Sequence, residues 1–273
     1  MRYAICNETF EGWDHARVCR VAAEHGYTGL EVAPFTLAPR ITDVSADRRH
    51  ELRRQAEDSG LQIIGLHWLL AKTEGLHLTA ADETVRKRTA DYLIELARCT
   101  RDLGGDLMVF GSPAQRRIPA GATKAQALGY AADTFRRVAP ALADFNVRVC
   151  LEPLTPAETD FMTSCAEGVE LMERIGHPKF CLHLDVKAMS SEATPVTELI
   201  RQHVPHTGHF HANDPNKRGP GFGAVDFVPI FQALTKSGYD GWVSVEVFDY
   251  APDPETIARE SIRYMRQCEQ QVK

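Results

Sequence analysis

The chain has 273 residues, 44% hydrophobic and 25% charged, and its 31 Lys and Arg against 37 Asp and Glu give a formal charge of −6. That composition is ordinary for a globular domain and lacks the basic surplus that a nucleic-acid partner favours. No run reaches the roughly 18 apolar residues of a membrane span.

The seven cysteines, at positions 6, 19, 99, 150, 165, 181 and 268, include no C-x-x-C pair and argue against a disulfide framework or a zinc ribbon. Most lie in apolar stretches, which reads as reduced core thiols. The first strand starts at residue 2 with no basic leader before it, so a cytoplasmic protein is expected.

Short β-rich runs alternate with longer helical patterns along the chain. A strand over 2–6 precedes a helix from Asp14, a natural N-cap, to His25. A second strand over 29–33 is followed by a helix over 47–59 that stops at Gly60. The third strand, 61–67, leads through a loop rich in Gly, His and Thr to a long helix over 82–103, ended by Gly104-Gly105. Strand four covers 107–110, with its helix over 124–145.

Strand five, 147–151, runs into Glu152-Pro153 and is followed by a helix over 165–175. Strand six covers 180–184 and its helix 195–203; strand seven covers 207–210 and its helix 227–237. Strand eight, 242–247, and a helix over 254–270 complete the pattern. Eight strand–helix units without a long polar linker predict an α/β fold, a single (β/α)8 barrel domain over 1–273. The strands are continuously apolar, as strands covered on both faces should be. An open doubly wound sheet would carry a Gly-rich phosphate turn after strand one, and Asn7-Glu8-Thr9 is not one.

In such barrels the chemistry lies at the C-terminal ends of the strands. Strands five to eight end on Glu152, Asp185, His211 and Glu246, one hard ligand each. Alternation by two places Cys150, His183, His209 and Ser244 one layer deeper on the same inward face. Carboxylates facing a barrel interior are costly unless compensated, and one divalent cation (Mn, Mg, Co or Zn) would compensate them together. The plainer alternative is that each acid caps a helix or pairs with a nearby Arg.

The strings Leu151-Glu152-Pro153-Leu154, His183-Leu184-Asp185, His211 with Asn216 and Pro220-Gly221-Phe222-Gly223, and Val245-Glu246 resemble the xylose isomerase-like barrel superfamily. The likeness is to its sugar isomerase/epimerase branch, which includes ketose 3-epimerases. It implies a metal held by Glu152, Asp185, His211 and Glu246, which binds a sugar carbonyl and its neighbouring hydroxyl and favours an enediolate. Glu152 and Glu246 would then be the acid/base pair on opposite faces of the substrate.

Glu158 matches a substrate-contacting acid of the ketose epimerases. The His that they carry three residues after the metal Asp is Ala188 here, beside Lys187. Their Arg six residues after the metal His is Lys217, followed by Arg218. The substrate is therefore expected to be a small sugar or sugar derivative, with Lys187, Lys217 and Arg218 as candidates for an oxygen, carboxylate or phosphate.

His67 and Trp68, at the end of strand three, are further substrate candidates: a hydrogen-bond donor and an apolar wall, with a packed core His as the alternative. Glu31 reads as paired with an Arg or as a substrate contact, and loop 69–79 as a lid or an inert connection. The pairs Arg116-Arg117 and Arg136-Arg137 read as solvated surface. Rival functions are a keto-inositol type dehydratase that shares the enediolate, an endonuclease of the DNA-repair branch, and a silent sugar-binding barrel. A homo-oligomer is compatible with the sequence.

Overall fold

Eight parallel strands pair in chain order, and β1 closes on β8, in the computed structural model, which describes residues 1–272. The strands are β1 Arg2–Cys6, β2 Gly29–Val32, β3 Gln62–Leu66, β4 Leu107–Phe110, β5 Arg148–Leu151, β6 Phe180–Asp185, β7 Thr207–Ala212 and β8 Trp242–Val245. Around them lie α1 His15–His25, α2 Ala46–Asp58, α3 Glu83–Asp102, α4 Lys124–Phe145, α5 Cys165–Ile175, α7 Val196–His203, α8 Phe227–Lys236 and α9 Pro254–Gln270. The four-residue α6, Val186–Met189, follows β6 directly. The alternation in the sequence thus gives a closed (β/α)8 barrel, as expected.

Local chemistry starts the helices where the sequence places them. The side chains of Asp14, Ser45, Asp82, Ser164, Asp226 and Asp253 each accept a first-turn backbone N–H, and Thr123 forms a full capping box with Gln126. Strands β6 and β7 run one and two residues further than expected, to Asp185 and Ala212, whereas β8 stops at Val245. The sequence pattern missed α6, because four residues cannot show a helical period.

One apolar layer lies between barrel and helices; a second fills the lower barrel with Ala4, Ile64, Leu107, Val109, Cys150 and Trp242. Gly29 makes room for that plug, since a Cβ there would lie 2.7 Å from the Trp242 ring. Above the plug the interior turns polar, and every side chain in that layer comes from a strand end. All seven cysteines are free thiols. Among the described residues no helix is long and apolar enough to cross a membrane.

Candidate metal and active site

Parallel register carries the alternation of each strand across the barrel. His183 lies beside His209 and Asp185 beside His211 on β6 and β7, and His211 lies beside Ser244 on β8. Ligand atoms of Glu152, His183, Asp185 and His211 all fall within 4.8 Å of one another, and all four residues are buried. Glu246 joins them through His211, whose Nδ1 lies 3.1 Å from Glu246 Oε2. Glu152, Asp185 and His211 therefore come together with His183, while Glu246 adjoins them through His211 and also lies within reach of Glu8 and His67.

Asp185 does the capping work of the plainer reading as well: Oδ1 accepts from the Ala188 N–H at 2.7 Å and Oδ2 from Asn213 Nδ2 at 2.5 Å. A carboxylate has about four lone-pair positions, so both oxygens retain capacity. The other groups are emptier. Glu152 Oε2, both ring nitrogens of His183 and Glu246 Oε1 are buried without a hydrogen-bond partner, and His211 Nδ1 and Glu246 Oε2 have only each other. Leaving that many polar atoms unpaired is expensive. Carboxylate oxygens and an imidazole nitrogen are what a borderline or hard divalent cation takes, so the residues present fit such an ion.

The orientation of His211 is set from across the barrel. Its Nε2 lies 3.1 Å from both oxygens of Glu31, a wholly buried residue at the end of β2, which leaves Nδ1 facing Glu246 and the cluster. Glu31 also holds His209 Nε2 at 2.8 Å, and Ser244 Oγ lies 3.2 Å from the same nitrogen. Glu31 thus pairs with histidines, not with the arginine that local sequence suggested. Burial opposes the ionisation of Glu31, but His211 and His209 outweigh it and hold its carboxyl well below the usual range. A carboxylate behind a metal-binding imidazole typically changes metal affinity about 10–100-fold. Glu31→Gln is accordingly expected to weaken divalent-metal binding by about that factor, read by calorimetric titration; unchanged affinity would remove Glu31 from this role.

Glu152 is fixed by two neighbours that the sequence did not single out. Gly111 follows β4, and a Cβ on it would lie 1.6 Å from Glu152 Oε2, so this position has to stay bare for the carboxylate to sit where it does. Arg116 is fully buried. Its Nη1 donates to the Glu152 carbonyl at 2.6 Å and its Nη2 to the Phe110 carbonyl, tying β4 to β5. That overturns the expectation of a solvated Arg116-Arg117 pair for its first member; Arg117 is exposed. Burial pushes the Arg116 guanidinium down to about 10, still charged at neutral pH. Gly111→Ala has a clear expected outcome: the flexible Glu152 carboxylate swings aside, so turnover falls on the order of 10²-fold while the melting temperature barely moves.

Burial raises the Glu152 carboxyl well above the usual range, and the charges of Glu246 and Asp185 add to the shift. Burial also opposes ionisation of Glu246, but His211 leads the groups that outweigh it, and its carboxyl titrates below the usual value. Two carboxyls pushed in opposite directions in one site can divide acid and base roles between them.

Next to Glu152 opens a cavity of about 300 Å³ whose lining includes Trp68, Ser112, Gln115, Leu154, Glu158 and Phe248. Trp68 and Phe248 stack at 5.5 Å with an interplanar angle of 19°. Glu158 accepts from Lys187 Nζ at 2.7 Å and from Thr155 Oγ1 at 2.8 Å, and Lys187 lies 4.4 Å over the Phe248 ring. Glu158 and Trp68 are therefore presented to the cavity, while Lys187 is a mostly buried partner behind Glu158.

Three other candidates are placed differently from the expectation. His67 lines neither this cavity nor its neighbour; its Nε2 lies 2.7 Å from Glu8 Oε2 inside the barrel. Lys217 is exposed outside both cavities, and its carbonyl accepts the N–H groups of Phe248 and Asp249. Arg218 pairs with Asp249 at 2.8 Å. This loop braces the segment after β8 that carries Phe248. Loop 69–79 is tied to the loop after β4, since the Leu70 N–H donates to Ser112 Oγ and the Leu78 N–H to the Gln115 carbonyl.

A model of the xylose isomerase-like TIM barrel family matches residues 19–268. The chain belongs to that family. A D-psicose 3-epimerase of Ruminiclostridium cellulolyticum is 26% identical over 250 residues, 90% of this chain and 82% of that protein. A crystal structure of a D-psicose 3-epimerase in the presence of D-fructose superposes with a TM-score of 0.87 at 21% identity, covering 98% of this chain and 99% of the other. A 3-keto-D-glucoside 4-epimerase from E. coli gives a TM-score of 0.85 at 19% identity, over 98% of this chain and 100% of that one.

Within this xylose isomerase-like barrel, sequence reasoning missed Gly111, Arg116 and the pairing of Glu31. A bare Gly directly after a strand is the one signal that was available. Arg116 gave none, because its acceptors are main-chain carbonyls.

Proposed function

We propose that this xylose isomerase-like barrel is a divalent-metal-dependent sugar epimerase or isomerase of the isomerase class. The observation that carries the reading is the convergence of buried ligand atoms of Glu152, Asp185 and His211, with the Glu246 carboxylate 3.1 Å from His211 Nδ1. The epimerase relatives support the choice of substrate class. Glu152, Asp185, His211 and Glu246 would hold the ion, which supplies Lewis-acid polarisation of a sugar carbonyl and acidifies the neighbouring C–H.

The chain's own residues do the rest. Of Glu152 and Glu246, the ionised one removes the proton next to the carbonyl and the protonated one returns a proton to the opposite face, inverting the carbon; the roles exchange in the reverse direction. Glu31 keeps His211 turned toward the site. Trp68 and Phe248 give the carbon chain an apolar wall, and Glu158 takes a hydroxyl, with Lys187 holding it ionised. Burial opposes that ionisation, but the Lys187 hydrogen bond wins and keeps the Glu158 carboxyl below its usual range.

Manganese or cobalt suits this ligand set, and a neutral sugar suits a cavity lined by Glu152 and Glu158 better than a phosphorylated one. We place the enzyme in the cytoplasm. The test is deuterium uptake from heavy water into candidate ketoses and aldoses by the metal-loaded protein. Uptake at a carbon next to the carbonyl is expected, without loss of water from the sugar; loss of water would shift the reading to the dehydratase, and no uptake with any sugar would end it.

A further inference from the structure

The cavity over Glu152 is not the largest at the barrel mouth. A second one of about 590 Å³ lies beside it, between the segments that follow β1, β2, β3 and β8, and nothing in the proton transfer uses it. Trp68 and Lys72 line both. Both residues hold left-handed backbone, with φ of 51° and 60°. Such a conformation is unfavourable for a bulky side chain and persists where surrounding structure imposes it. The Trp68 indole lies between Phe248 on one side and Phe35, at 5.8 Å, on the other, which makes it the partition between the two spaces.

The larger cleft is lined by aromatic rings and by hydrogen-bonding groups. Trp13, Phe35, Trp68 and Tyr250 supply aromatic surface, with Arg17 lying 3.5 Å over the Trp13 ring and Lys72 4.1 Å over the Phe35 ring. Glu8 is 2% exposed and lines the cleft; Oε2 is taken by His67, and Oε1 is buried with no partner. Asn7 is pre-set, since its Oδ1 accepts from the Ala33 N–H and its Nδ2 donates to Thr36 Oγ1, both at 2.8 Å. Aromatic surface for the apolar faces of a sugar, and polar side chains such as Asn7, Arg48 and Lys72 for its hydroxyls, are the groups a neutral pyranose needs. The charged lining is mixed, Glu8, Glu11 and Asp14 against Arg48 and Lys72, a balance that suits a neutral ligand.

We propose that this cleft is a second sugar subsite. The substrate is then a two-ring glycoside: a keto-sugar unit over Glu152, and a glycosidically linked ring beyond Trp68. The identity of the reacting unit rests on the epimerase reading; binding in the cleft does not.

Deuterium uptake is to be measured on the metal-loaded protein with D-fructose and with disaccharides carrying a glucosyl ring on a ketohexose. The two-ring probes are expected to react with at least tenfold higher kcat/KM. Leu37→Trp, which fills the cleft from its half-buried wall, and Tyr250→Ala, which removes a platform ring, should each cut that preference about tenfold, mainly through KM. Equal or better use of D-fructose, or a preference that neither variant moves, overturns the subsite. If no probe exchanges, the epimerase reading has failed, and calorimetry with methyl glucosides, galactosides and mannosides decides the cleft alone. Saturable binding that Leu37→Trp abolishes supports it; no binding by the unaltered protein refutes it.

Discussion

Glu246→Gln is expected to slow deuterium uptake and turnover by about a thousandfold, inside the roughly 10²–10⁴-fold range for a lost general acid or base, while the protein still binds metal. Glu246 is fully buried immediately after β8, with His211 Nδ1 3.1 Å from Oε2 as its close neighbour, and the isosteric amide keeps the same size and an oxygen to face that nitrogen. What it loses is the negative charge and the ability to carry a proton. Glu152, Asp185 and His211 keep their places, because they are fixed respectively by Gly111 and Arg116, by Ala188 and Asn213, and by Glu31. Metal affinity should therefore fall but remain saturable in a calorimetric titration. Near-normal turnover would remove Glu246 from the acid/base pair, and a variant that no longer binds metal would recast it as a ligand first.

The barrel and the strand-end quartet were legible because both follow from short-range periods. Strand and helix alternate at fixed lengths, and inward residues repeat every second position, so Cys150 leads to Glu152 and His183 to Asp185 without knowledge of the register. What crosses the barrel was not legible. Glu31 meets His209 and His211 from 178 and 180 residues away, a pairing fixed only once the sheet closes and β2 stands opposite β7. A lone Glu at a strand end reads equally well as an Arg partner, and that was the wrong choice.

Arg116 shows the same blindness in another form. Two adjacent arginines look like surface, but one of them is spent on two main-chain carbonyls exposed where β4 and β5 end. His67 and Arg218 were read by position alone, one at a strand end and the other after the expected metal His. Glu8 and Asp249 had already claimed them. The cleft beyond Trp68 is assembled by segments following four strands, and no single stretch of sequence contains its outline.

Removal of metal by a chelator is expected to abolish exchange, with Mn or Co restoring it, and to lower the melting temperature. The ion-free site already shows what would be lost. A proton is held on His211, where burial opposes the charge but Glu31 and Glu246 on either side outweigh it and raise its pKa well above the usual value. Burial also lifts the Glu152 carboxyl, which favours its neutral form.

A bound cation competes with the proton on His211, so binding should release it and tighten as pH rises toward neutrality, where competition from the proton weakens. Calorimetry in buffers of different ionisation heat reads that release directly. Saturation at about a thousand times Kd adds about 4 kcal/mol to the folded state, which for a chain of this size raises the melting temperature on the order of ten degrees. Chelator-treated protein that keeps full exchange activity, or metal binding that neither releases protons nor responds to pH, would mean that these buried carboxylates are compensated in some other way, and the proposed chemistry would fall with them.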